Sequence, residues 1–110
     1  MGLYLYEFSY TSAAMAALVK DPQDRIDVAA KPLATALGGH VVAGGYAFGA
    51  IDVVLIVEMP DDVSMAAFVT LVSAGGSLSH GKTTKLMDGA SWVSALTKAQ
   101  HASPSYTPAR

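Results

Sequence analysis

The run Val53-Val54-Leu55-Ile56-Val57 constrains this chain more than any other segment. Successive side chains of a strand point to opposite faces, so this run is apolar on both, which suits a central strand covered from above and below. Residues 52–59 therefore read as the middle of a sheet, closed by Pro60.

Around it the chain alternates strand and helix signals. Residues 3–10 have period two, with Leu3, Leu5, Glu7 and Ser9 on one face and Tyr4, Tyr6, Phe8 and Tyr10 on the other. Thr11 or Ser12 caps a helix over 13–20, and Asp21-Pro22 starts a second over 22–37. Pro32 should kink or break that second helix, because it lacks an amide and clashes with the preceding turn. Gly38-Gly39 ends it. Residues 40–48 read as a strand with a bulge at Gly44-Gly45. Asp61 or Asp62 caps a helix carrying Met65, Phe68, Val69 and Val72, which Gly75-Gly76 stops. Residues 77–86 give a fourth strand. Asp88 opens a last helix expected to turn Trp92, Val93 and Leu96 inward.

The order is strand, helix, strand, strand, helix, strand, plus a C-terminal helix. That predicts an α+β, ferredoxin-like, four-stranded antiparallel sheet with helices on one face and strands one and three at its centre. Residues 1–100 form this domain. Residues 101–110, rich in Pro, Ser and Thr, read as a disordered or loosely ordered tail. Helices can cover only one face, so an apolar patch remains on the other. Monomers rarely leave such patches open, so a homodimer or larger homo-oligomer through that face is expected.

Composition narrows the function classes. With 110 residues and 52% hydrophobic content, the chain fills one core. Its net charge of −2 carries no basic footprint, so neither nucleic acid nor an anionic membrane surface is an expected partner. Cysteine is absent, which excludes thiolate metal sites and cysteine nucleophiles. The longest apolar stretch, 65–74, is shorter than the roughly 20 residues that span a bilayer. Met1-Gly2-Leu3-Tyr4 lacks the basic run that opens a signal peptide, so a cytoplasmic location is expected.

Several segments resemble one known family. They are Tyr10-Thr11, Leu37-Gly38-Gly39, Tyr46-Ala47-Phe48-Gly49 leading to Asp52-Val53-Val54, and Pro60-Asp61-Asp62. Together they resemble the GYD domain proteins of the dimeric α/β-barrel superfamily. At the family's naming tripeptide this chain reads Gly49-Ala50-Ile51-Asp52, with Ile51 in the place of tyrosine. The resemblance implies the ferredoxin-like fold and self-association into a dimeric α/β barrel rather than a particular reaction.

Two motifs invite chemistry. Gly76-Ser77-Leu78-Ser79-His80-Gly81-Lys82-Thr83 satisfies the phosphate-loop pattern, whose mechanism needs a buried strand before the loop and a helix directly after it. That context is missing, and a polar edge strand is the expectation. The histidines His40, His80 and His101 lack metal-ligand spacing, and neither metal nor cofactor is called for. His80 shares a strand face with Lys82 and Thr84, where it can serve as acid, base or ligand. Asp52, at a strand entrance, reads either as a turn anchor or as a general base.

By strand parity, Tyr6, Tyr46 and Phe48 are expected to bind an apolar ligand in one pocket with Asp52 and His80 as catalytic groups. The reading that follows is a homo-oligomeric small-molecule binding protein, extending to a cofactor-independent enzyme on an apolar or aromatic compound. The alternative is a non-catalytic stress or regulatory module whose sheet serves assembly.

Overall fold

The computed structural model describes residues 1–109. Four strands, β1 (Gly2–Tyr10), β2 (His40–Tyr46), β3 (Val53–Met59) and β4 (Leu78–Leu86), form one antiparallel sheet in the order β2-β3-β1-β4. The doubly apolar strand and the aromatic strand thus take the centre, and the fold is the expected ferredoxin-like α+β arrangement. Tyr4, Tyr6 and Phe8 from β1 join Val53, Leu55, Val57 and Met59 from β3 on one buried face. Leu3, Leu5, Val54 and Ile56 point the other way and are half-buried.

Helices α1 (Ser12–Lys20), α2 (Lys31–Ala36) and α3 (Asp62–Ala74) accompany the buried face, and α4 (Gly89–Ala102) follows β4. The caps are those the sequence suggests. Thr11 Oγ1 accepts from the Ala14 amide at 3.1 Å, Asp61 Oδ1 from Ser64 at 2.8 Å and Asp88 Oδ1 from Ser91 at 2.7 Å. Met65 and Phe68 from α3, with Ile26 and Ala34, complete the core, and Phe68 meets Tyr6 edge-on at 6.1 Å.

Three local departures have physical causes. The second helix does not start at Pro22, because Asp24 Oδ1 takes the amides of Ile26 (3.1 Å) and Asp27 (3.3 Å) and sets the start there. At Pro32 the regular α ladder is interrupted by a change of pitch, and the chain stays helical on both sides of it. Residues Ile26–Ala30 widen into a π turn, with the Lys31 amide donating to the Ile26 carbonyl, and Pro32 falls in the first turn of α2, where its missing amide is harmless. The β2 bulge lies between Val41 and Ala43 rather than at Gly44-Gly45. Gly44 is needed for another reason: a Cβ there would stand 2.8 Å from Leu55 Cδ2 and 2.9 Å from the Val54 carbonyl oxygen.

The largest correction concerns α4. Trp92, Val93 and Leu96 do not face inward but are 57%, 59% and 50% exposed. The helix leaves the end of the edge strand and packs on no other layer, stretching the molecule to 61 Å along its longest axis. The radius of gyration is 17.8 Å, against the roughly 13 Å of a compact chain of this size. Helical structure persists through Ala102 and a 3-10 turn at Ser103–Ser105, some residues beyond the tail boundary read from composition.

Candidate functional site

Helix α1 covers the sheet without burying any of its own side chains. Between it, α3 and the sheet lies a cleft of about 480 Å³, within the range of small-molecule sites. Phe8, Tyr10 and Leu55 form its floor, and Leu18, Leu33 and Leu71 its walls. A one-residue bulge helps to shape it. Opposite β1 the register passes from Ser9–His80 to Tyr10–Leu78, leaving Ser79 unpaired. The extra residue reverses parity, so Leu78 turns toward the cleft while His80 faces the opposite side of the sheet. Ser79 Oγ steadies the bulge by donating to the Tyr10 carbonyl at 3.3 Å, and the Thr11 amide fixes the start of α1 on the Ser77 carbonyl at 2.8 Å.

The mouth of the cleft is polar. Arg25 Nη1 donates to Gln23 Oε1 at 3.1 Å, and Gln23 Nε2 donates to Asp21 Oδ2 at 3.1 Å, so these side chains form a row along the opening. One of the five guanidinium donors is used in this way. Tyr10, edge-on to Phe8 at 5.6 Å, brings the cleft its phenol. Burial pushes that phenol above its ordinary value, the nearby Arg25 cation pulls it back, and the Asp52 and Asp24 carboxylates add to the rise. At neutral pH it is a neutral group that can both donate and accept a hydrogen bond.

The residues expected to converge from the sequence do not share this cleft. Tyr6 is buried at 1% exposure against Phe8 and Phe68. Tyr46, on the outer strand, is half exposed and holds Asp24 and the Ile26 amide. Phe48 lies in the β2–β3 turn at 99% exposure. Asp52 anchors a turn: its Oδ2 accepts from the Tyr10 amide at 2.9 Å, and its own amide donates to the Phe8 carbonyl at 3.0 Å. His80 is exposed on the open sheet face. Asp52 and His80 flank the same end of β1 from strands on either side, about 10 Å apart by strand spacing. The expected convergence fails at the pairing register, which sets Tyr6 with Leu55 and Phe8 with Val53 on the buried face and leaves Asp52 and His80 on the other. Tyr10 had the right parity for the cleft, whereas Arg25 gave no periodic signal.

The phosphate-loop pattern is spent on the extended edge strand β4, with Lys82 exposed opposite Glu7. No loop cradle forms there. Among the described residues no three His, Asp or Glu side chains lie close enough together to hold a metal ion, and no helix is long and apolar enough to cross a membrane.

A family model described as the GYD domain matches residues 4–96. The chain belongs to the GYD domain family. The turn where the family carries its naming tripeptide is structural here: Gly49 has φ +131°, and Ser9 Oγ donates to the Ala50 carbonyl at 2.6 Å, so the hairpin is clamped to β1. Among solved structures, an uncharacterized NIPSNAP domain protein from Burkholderia xenovorans is similar, with a TM-score of 0.51 and 14% identity over 82% of this chain and 96% of that one. That likeness speaks for the fold alone. A comparison with curated proteins gives no match.

Proposed function

We propose that this GYD domain protein binds a small apolar or aromatic compound in the cleft between α1 and the sheet, and does so as a homodimer. The observation that carries the reading is the 480 Å³ cleft with an apolar floor and the Tyr10 phenol and Arg25 guanidinium beside it. Apolar walls would gain about 25 cal/mol for each Å² of ligand surface removed from water. The phenol and guanidinium would orient a carboxylate, phenolate or carbonyl on the ligand. Neither His80 nor Asp52 reaches this cleft, so any chemistry would rest on polarisation by Arg25 and Tyr10.

The homodimer part is supported by the open sheet face, where Leu3, Leu5, Val54 and Ile56 are half-buried with no layer over them. That same face favours the alternative of an assembly module without a ligand. A thermal-shift comparison of benzoate, benzyl alcohol and indole separates the two. Saturation at about 100 times the dissociation constant should add about 2.7 kcal/mol of stability, a shift on the order of 10 °C or more. Leu18→Trp, which fills the cleft, should abolish that shift. No response to any aromatic probe, with a stable dimer, would favour assembly alone.

A further inference from the structure

Helix α4 is left without packing by its own fold, and it is a poor candidate to stand alone. It is 14 residues long, a length at which isolated helices are marginal in water even when rich in alanine. Gly89, Val93 and Thr97 are weak helix formers that lower its intrinsic stability further. Trp92, Val93 and Leu96 nevertheless form one apolar stripe, the pattern of a helix that packs against something.

The chain itself carries a surface that fits. The uncovered side of the sheet presents Leu3, Leu5, Val54 and Ile56. Leu86, 37% exposed and opposite Leu3, extends it to the end of β4, two residues before the Asp88 cap of α4. A second copy therefore meets an apolar centre of Leu3, Leu5, Val54 and Ile56, flanked by Glu58 and His40 at one end and by Glu7 and Lys82 at the other, and then the stripe of α4.

Area argues for the same occupant. Four strands of 7 to 9 residues present a face of about 500 Å² at ordinary strand spacing and rise. That falls short of the roughly 800 Å² per partner of a standard stable interface. One face of a 14-residue helix adds about 200 Å². In a two-fold dimer each protomer gives one such helix and receives another, which brings the interface to about 900 Å² per partner.

We propose that α4 is an exchanged arm: in the homodimer each protomer lays its Trp92, Val93 and Leu96 stripe on the other copy, beside the paired sheet faces. The inference rests on the homodimer reading above and adds what completes the interface.

Trp92 is the chain's one tryptophan, so its fluorescence reports the arm directly. The experiment dilutes the full chain across the dissociation range while following mass by light scattering and Trp92 by emission and acrylamide quenching. The expected result is a blue-shifted, several-fold less quenchable Trp92 in the dimer, changing with the same midpoint as the mass. Leu96→Lys should move that midpoint to at least ten-fold higher concentration while leaving the circular dichroism of the sheet intact. A dimer whose Trp92 is as quenchable as in the monomer would overturn the exchanged arm and leave the sheet-to-sheet dimer standing. So would a midpoint that Leu96→Lys does not move. A monomer at every concentration would overturn the arm and the dimer together, and a shielded Trp92 in that monomer would assign α4 to its own chain.

Discussion

The hydroxyl of Tyr46 donates a 2.5 Å hydrogen bond to Oδ1 of Asp24. It also accepts from the Ile26 amide at 3.0 Å, so the outer strand holds the segment that leads from the mouth of the cleft into the π turn. The Asp24 carboxyl is held below its ordinary value of 3.8, first by the Tyr46 hydroxyl and then by the amides of Asp27 and Ile26. A carboxyl with a depressed folded value contributes stability that is present above its unfolded value and is lost as pH falls through the folded one. Tyr46→Phe removes the leading cause. Wild type should therefore melt higher than the variant above about pH 4, and the gap should close on further acidification. Melting curves of both proteins from pH 7 to pH 2 test this, and a gap that stayed constant would contradict it.

At the other edge of the sheet the sign reverses. Tyr4 donates to Asp62 Oδ1 at 2.5 Å, and Lys85 Nζ meets the same oxygen at 2.8 Å. The phenol is pushed up to about 12, chiefly by that hydrogen bond and then by burial. Below pH 10 the phenol is neutral in both the folded and the unfolded chain. As pH climbs from about 10 to about 12 the unfolded chain ionises first, and stability is lost. Tyr4→Phe should flatten this alkaline loss, measured as melting temperature against pH. An unchanged alkaline slope would assign it to other groups.

Two glycines of similar appearance in the sequence should behave oppositely. A Cβ on Gly39 would strike the Glu58 carbonyl and stand 2.7 Å from Met59 Sδ, whereas one on Gly45 would meet nothing within 4 Å. Gly39→Ala should cost about 1–3 kcal/mol through overpacking against backbone that cannot retreat. At about 4–8 °C per kcal/mol that is a readily measured fall in Tm. Gly45→Ala should leave Tm nearly unchanged. Equal effects would mean that β2 shifts freely on β3.

ATP should not raise the melting temperature, with or without magnesium. Residues 78–86 are an edge strand and Lys82 is exposed, so the backbone amides that a phosphate loop turns on its ligand belong to the ladder with β1. Lys82→Ala should leave both stability and nucleotide response unaltered. ATP stabilisation that vanished in that variant would reverse the reading of the motif.

The sequence by itself determined the order of elements, the central pair of strands and the three helix caps. These depend on local patterns: the unbroken apolar run 53–57, the aromatic alternation of β1, and side-chain oxygens at Thr11, Asp61 and Asp88. Only the tertiary structure decided which residues meet. Tyr6 and His80 fall on opposite sides of the sheet because the register sets Thr83 against Tyr6 and His80 against Ser9, while the unpaired Ser79 turns Leu78 to the cleft. Arg25 reached the cleft through the Asp24 and Tyr46 hydrogen bonds, which link positions 22 residues apart and leave no trace in periodicity. The stripe on α4 was legible as an apolar face. That it finds no partner within its own chain is a property of where the edge strand ends, and no pattern confined to one helix carries that information.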